Sequence, residues 1–139
     1  MKKILDIKNL YKNYHTKKCE IEALNNVNFS INEGDFIGIV GPSGCGKSTL
    51  LSLIGDLEKP TKGNIIKDSD IKIGYMLQDD CLFPWLTIYE NCLLGLKMKK
   101  ICNKENMDNV KKLLETYGLS EFINNYPKDL SGGMRQRVV

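Results

Sequence analysis

Eight residues constrain this 139-residue chain more than any other feature: Gly41-Pro42-Ser43-Gly44-Cys45-Gly46-Lys47-Ser48, which fits the pattern G-x-x-x-x-G-K-[ST]. Before it runs Phe36-Ile37-Gly38-Ile39-Val40, continuous, apolar and partly β-branched, as in a strand covered on both faces. After it, from Lys47 to about Asp56, Leu50, Leu51, Leu53 and Ile54 recur at helical spacing. A strand, a glycine-rich turn and a helix in that order make a phosphate cradle. Glycines 41, 44 and 46 let backbone N–H groups approach phosphate oxygens where a Cβ would obstruct them. The first turn of the helix adds unpaired N–H groups and the positive end of its dipole. Lys47 brings a full charge to the β- and γ-phosphates, and Ser48 brings a hydroxyl suited to Mg2+. The expected nucleotide site is therefore Gly41, Pro42, Ser43, Gly44, Cys45, Gly46, Lys47, Ser48 and Thr49, with Cys45 a small filler in a variable slot.

Cradles of this kind serve kinases, GTPases, helicases and transporters, so the loop does not choose among them. Composition narrows the field only by exclusion. With 42% hydrophobic and 27% charged residues, disorder, collagen and coiled coil are poor readings. No run approaches the roughly 18 apolar residues of a bilayer span, and Asp6 and Lys8 interrupt the signal-like start at Met1-Lys2-Lys3. A net charge of +3 is too mild to argue for nucleic acid. Five cysteines without a CxxC, and a single histidine, His15, fit free thiols in a reducing compartment better than a zinc site.

Along the chain, Ile4, Leu5, Ile7 and Leu10 alternate with polar residues as in a half-buried strand, and Glu20–Ile31 reads as a second. Asn64–Lys67 and Ile71–Leu77 read as short strands. After Pro84 the period becomes helical. Thr87-Ile88-Tyr89-Glu90 is a capping box opening a helix with Cys92, Leu93 and Leu96 inward. A further helix starts near Asn103, carries Met107, Val110, Leu113, Leu114 and Tyr117, and stops at Gly118. The expected architecture is α/β: an antiparallel β region and P-loop core over residues 1–83, then a helical subdomain over 84–139.

A second glycine pair, in Leu130-Ser131-Gly132-Gly133-Met134-Arg135-Gln136-Arg137, has Ser131 as a fitting N-cap before exposed amides and a helix start. One triphosphate seldom needs two anion cradles from one chain, so sandwiching between two subunits is the sensible arrangement. Of 20 cationic side chains 18 are Lys, and the only two Arg, 135 and 137, lie here, where a planar fork suits carboxylates or helix ends. The segment resembles the signature motif of ATP-binding-cassette (ABC) transporter ATPases, with Met134 in place of the usual Gln.

The resemblance implies a P-loop NTPase fold and further roles. Tyr14 resembles the aromatic that stacks on adenine, with packing under the first strands as its alternative and Tyr11 as its neighbouring competitor. Gln78 resembles the glutamine that reaches Mg2+ or the attacking water. Ser131, Gly132 and Gly133 would close over the nucleotide of the opposite subunit. Phe83 and Trp85 suit either docking to a partner helix or ordinary core packing. The Pro84-Trp85-Leu86-Thr87 run together with LSGGMRQR is similar to the nitrate/sulfonate/taurine-type importer ATPases. The resemblance thus implies MgATP as cofactor, a head-to-tail homodimer, and transmembrane permease subunits docked near Phe83–Thr87. It also implies a cytoplasmic location, peripheral on the inner face of the membrane, with no nucleic-acid partner.

The family's Walker B strand, its general-base glutamate and its switch histidine have no counterpart in residues 1–139, and neither Asp68 nor His15 substitutes for them. The expectation is a chain cut short, slow to hydrolyse ATP, with Lys47 and Gln78 as its catalytic residues and an apolar edge left open at Phe36–Val40. Three rivals are a soluble ABC-type ATPase, a non-hydrolysing nucleotide-binding module, and a P-loop kinase, the last disfavoured by Gly132-Gly133.

Overall fold

The computed structural model describes residues 2–17 and 19–139; Met1, part of the signal-like start, and Lys18 lie outside them. The chain divides into two compact units, one running to Tyr75 and the other from Met76 to Val139. Residues 76–83, grouped with the β-rich half in the sequence reading, thus fall in the second unit.

In the first unit, β1 (Lys3–His15) is the middle of a three-stranded antiparallel sheet, between β2 (Glu20–Asn32) and β3 (Lys62–Lys67). Leu5 pairs with Ile31, Ile7 with Phe29 and Leu10 with Val27. The step from Ile7 to Leu10 breaks a period of two. A bulge absorbs it: the register shifts between these residues, and Asn9 turns to φ 48° with its N–H donated to Asn28 Oδ1 at 2.7 Å. Leu5, Ile7 and Leu10 consequently stay on one buried face, where they meet Leu24 and the inner side of α1 (Lys47–Ile54), Leu50 and Leu53.

The strand expected at Phe36–Val40 does not form. These residues have no ladder partner among the described residues, and Phe36 and Val40 are almost fully exposed. Ile71–Leu77 likewise has no strand, with Ile73, Met76 and Leu77 exposed. A continuous apolar run specifies a strand only if neighbouring strands satisfy its N–H and C=O groups. The three-stranded sheet supplies none. The edge expected to be open at 36–40 is an open segment rather than a strand edge.

The second unit contains α2 (Ile88–Met98), α3 (Lys104–Thr116) and α4 (Gly132–Val138) with two short 3-10 turns between the last two. Both starts follow the sequence. Thr87 accepts from the Glu90 N–H while Glu90 accepts from the Thr87 N–H, completing the capping box, and Asn103 caps α3. The stop at Gly118 is a Schellman closure: with Gly118 at φ 69°, its N–H reaches the Glu115 carbonyl and that of Leu119 the Leu114 carbonyl. Leu114 and Leu119, brought together by that closure, form the second core with Ile88 and Leu130. Leu113 and Tyr117, on the same helix, are about half exposed. They share a helix face with Val110 and Leu114 but line an open groove beside Cys92 and Val138, whereas Leu114 is covered by the second core. Among the described residues no helix is long and apolar enough to cross a membrane.

Candidate functional site

Residues 41–49 wind from the open segment into α1. Gly44 takes φ 79° and Gly46 φ 95°, left-handed conformations that a side chain resists. At Gly46 space decides as well: a Cβ would collide with the Ala23 carbonyl oxygen and come within 2.9 Å of Leu24 on β2. The turn is thereby seated against the sheet, and Leu50 and Leu53 fix α1 from the other end. Lys47 folds back over the loop, its Nζ donating to the Gly41 carbonyl at 2.8 Å and the Pro42 carbonyl at 2.6 Å. A helix start, a glycine-rich turn and an ammonium across its mouth are complementary to a polyanion. Ser48 and its neighbours 41–45 are exposed.

Tyr14, near the end of β1 opposite Ile21, is half-buried. Its hydroxyl donates to the Glu58 carboxylate, 2.8 and 3.0 Å from the two oxygens. Lys12 Nζ binds Glu58 at 2.9 Å and lies 4.9 Å from the centre of the Tyr14 ring. Lys12 and then Tyr14 hold the Glu58 carboxyl below the ordinary glutamate range. Neither Lys12 nor Glu58 carries a sequence signal, since 46 positions separate them and no motif links them.

In the second unit Gln78 is exposed on a loop without regular structure. Two residues on, Asp80 accepts from Arg135 Nε at 2.6 Å, and the same guanidinium donates to the Leu130 carbonyl at 2.7 Å. Ser131 caps α4 by accepting from the Met134 N–H, leaving Gly132 and Gly133 exposed at its start. Arg137 donates to the Tyr117 carbonyl at the end of α3 at 2.9 Å. The two arginines therefore take one carboxylate and one helix end, as their fork geometry suggested.

Phe83 and Trp85 lie on the loop before α2 with ring centres 5.2 Å apart in an edge-on arrangement, and Trp85 is 68% exposed. Core packing is thus not the role of Trp85. Asn91, which the sequence reading passed over, shapes this loop: its amide accepts from the Phe83 N–H at 2.8 Å and donates to the carbonyls of Phe83, Leu86 and Thr87. An Asn one turn into a helix was its only available signal.

Comparisons with known proteins give the family. The ABC transporter family profile matches residues 24–139. The chain is 44% identical over 131 residues to the ABC transporter ATP-binding protein YtlC of Bacillus subtilis, covering 90% of this chain and 50% of that protein. It is 40% identical to the aliphatic sulfonates import ATP-binding protein SsuB of Bacillus cereus, covering 96% and 55%. It is 41% identical to the nitrate import ATP-binding protein NrtD of a Synechocystis strain, covering 96% and 53%. The chain spans about half the length of these relatives. Among solved structures, the ATP-binding cassette MJ0796, a dimer in a post-hydrolysis state bound to ADP and Pi, superposes with a TM-score of 0.84 at 39% identity. That superposition covers 97% of this chain and 66% of that one. The fold is the P-loop NTPase fold of such cassettes, and the chain belongs to the ABC transporter family of ATP-binding proteins.

Proposed function

We propose that this chain binds MgATP as part of the energy-coupling subunit of an importer. The observation that carries the reading is the seat of Lys47: an ammonium held by two loop carbonyls beside the glycine turn of residues 41–46, ready to exchange those carbonyls for phosphate oxygens. The β- and γ-phosphates lie against Gly41, Pro42, Ser43, Gly44, Cys45, Gly46 and Lys47, with Ser48 and Thr49 at the helix start. Tyr14 stacks on the base.

Among the described residues no cluster of three or more His, Cys, Asp or Glu side chains could hold a metal ion. The exposed Ser48 hydroxyl does fit a cation that arrives with the phosphates, since Mg2+ keeps few protein ligands. Ser48 would hold it, and it would neutralise charge on the terminal phosphates.

Ser131, Gly132 and Gly133 serve the nucleotide of a second copy in a head-to-tail homodimer, a reading supported by the dimeric state of the MJ0796 cassette. The exposed Phe83–Trp85 pair on its pinned loop docks a permease subunit at the inner face of a membrane. Hydrolysis drives uptake, of a nitrate- or sulfonate-like solute by analogy with NrtD and SsuB. Calorimetric titration with MgATP and with a non-hydrolysable analogue tests the reading; no saturable binding to either would overturn it.

A further inference from the structure

We propose that Glu58 is a positioning residue that holds the Tyr14 ring for the nucleotide base and so sets affinity at the base end of the site. The proposal rests on the reading of Tyr14 as the base-stacking residue. Stacking uses a ring face and makes no demand on a phenolic hydroxyl, yet the Tyr14 hydroxyl is committed to both oxygens of one carboxylate, at 2.8 and 3.0 Å. That carboxylate is itself fixed. Lys12 Nζ binds it at 2.9 Å and also donates to the Lys59 carbonyl at 2.9 Å. The segment that carries Glu58 is strapped to β1: the Thr61 N–H donates to the Tyr11 carbonyl and the Asn13 N–H to Thr61 Oγ1, each at 2.9 Å. Lys12 and Tyr14, two apart on a strand, project from the same side, which brings the ammonium over one ring face. The base takes the opposite face. A tyrosine so held has lost its rotamer freedom before the nucleotide arrives, and that loss no longer opposes binding.

The test titrates the full chain and four variants, Glu58→Ala, Glu58→Gln, Tyr14→Phe and Tyr14→Ala, with a non-hydrolysable MgATP analogue and with inorganic tripolyphosphate, which has no base. Glu58→Ala and Tyr14→Phe are expected each to raise the Kd of the ATP analogue about 3- to 10-fold and to leave the tripolyphosphate Kd within about two-fold. Glu58→Gln, which keeps an acceptor, recovers most of the loss. If Glu58→Ala does not fold, Tyr14→Phe carries the same test from the other side of the hydrogen bond. An unchanged or tighter analogue Kd in Glu58→Ala and Tyr14→Phe, with Tyr14→Ala weakened, overturns the role of Glu58 and leaves base stacking standing. Parallel losses for both ligands reduce Glu58 to a structural residue and also overturn it. If Tyr14→Ala itself binds the analogue normally, base stacking falls, and the positioning role with it.

Discussion

Arg135 Nε lies 2.6 Å from Asp80 Oδ2, so the helix that Ser131 caps is tied to a residue two positions beyond Gln78. The same guanidinium holds the Leu130 carbonyl, and Asp80 also accepts from the Leu82 N–H. One ion pair thus fixes the approach to α4 and the loop that leads to Phe83. Both side chains are partly exposed, so its energetic weight is modest; its effect is geometric.

The pair makes stability depend on acid. Arg135, and after it the Leu82 N–H, hold the Asp80 carboxyl below its ordinary value. A depressed folded-state pKa contributes stability that is complete above the unfolded value, about 4, and is lost as pH falls through the folded one. Asp80→Asn should therefore be less stable than wild type at pH 7, with the difference shrinking below about pH 4. Trp85, the only tryptophan and in the same unit, reports the unfolding by fluorescence. A difference that stays constant into strong acid would count against the pair.

Lys47→Ala should weaken binding of an ATP analogue at least about tenfold, since a charge-assisted phosphate contact is worth about 1.5–3 kcal/mol. Gly46→Ala should fail differently. It forces a Cβ against the Ala23 carbonyl at φ 95°, lowering stability by about 1–3 kcal/mol as read in a thermal melt without nucleotide.

Asn91→Ala should loosen the loop from Phe83 to Thr87 at a cost of about 0.5–1.5 kcal/mol, because the Asn91 hydrogen bonds to Phe83, Leu86 and Thr87 are lost. Denaturant unfolding measures the cost. Proteolytic cleavage near Trp85 should quicken in parallel, while nucleotide affinity is unmoved if the loop serves docking alone.

The exposed apolar run from Phe36 to Val40 should make residues 1–139 self-associate at micromolar concentration. Light scattering and hydrophobic-dye binding should fall when Phe36 and Val40 are both replaced by Lys. A monodisperse, dye-silent wild-type chain would contradict this.

Much of the local structure is legible in the sequence. The Thr87–Glu90 box, the Asn103 cap, the Gly118 stop and the turn into Lys47 each depend on residues within about four positions, where dihedral preference and a nearby hydrogen bond suffice. Family membership was readable for a similar reason, because it rests on two short contiguous motifs. Non-local matters were not. Phe36–Val40 has the composition of a buried strand, but strand formation needs partners from distant sequence, and the run remains open. Leu113 and Leu114 are identical side chains on one helix; Leu114 is buried because Ile88, Leu119 and Leu130 meet it, and Leu113 remains exposed. The Lys12–Glu58–Tyr14 cluster and the Asp80–Arg135 pair join residues 44 to 55 positions apart, through side chains that any solvated position could carry. Turns and caps follow from local backbone preference, whereas pairing and burial follow from which distant surfaces meet.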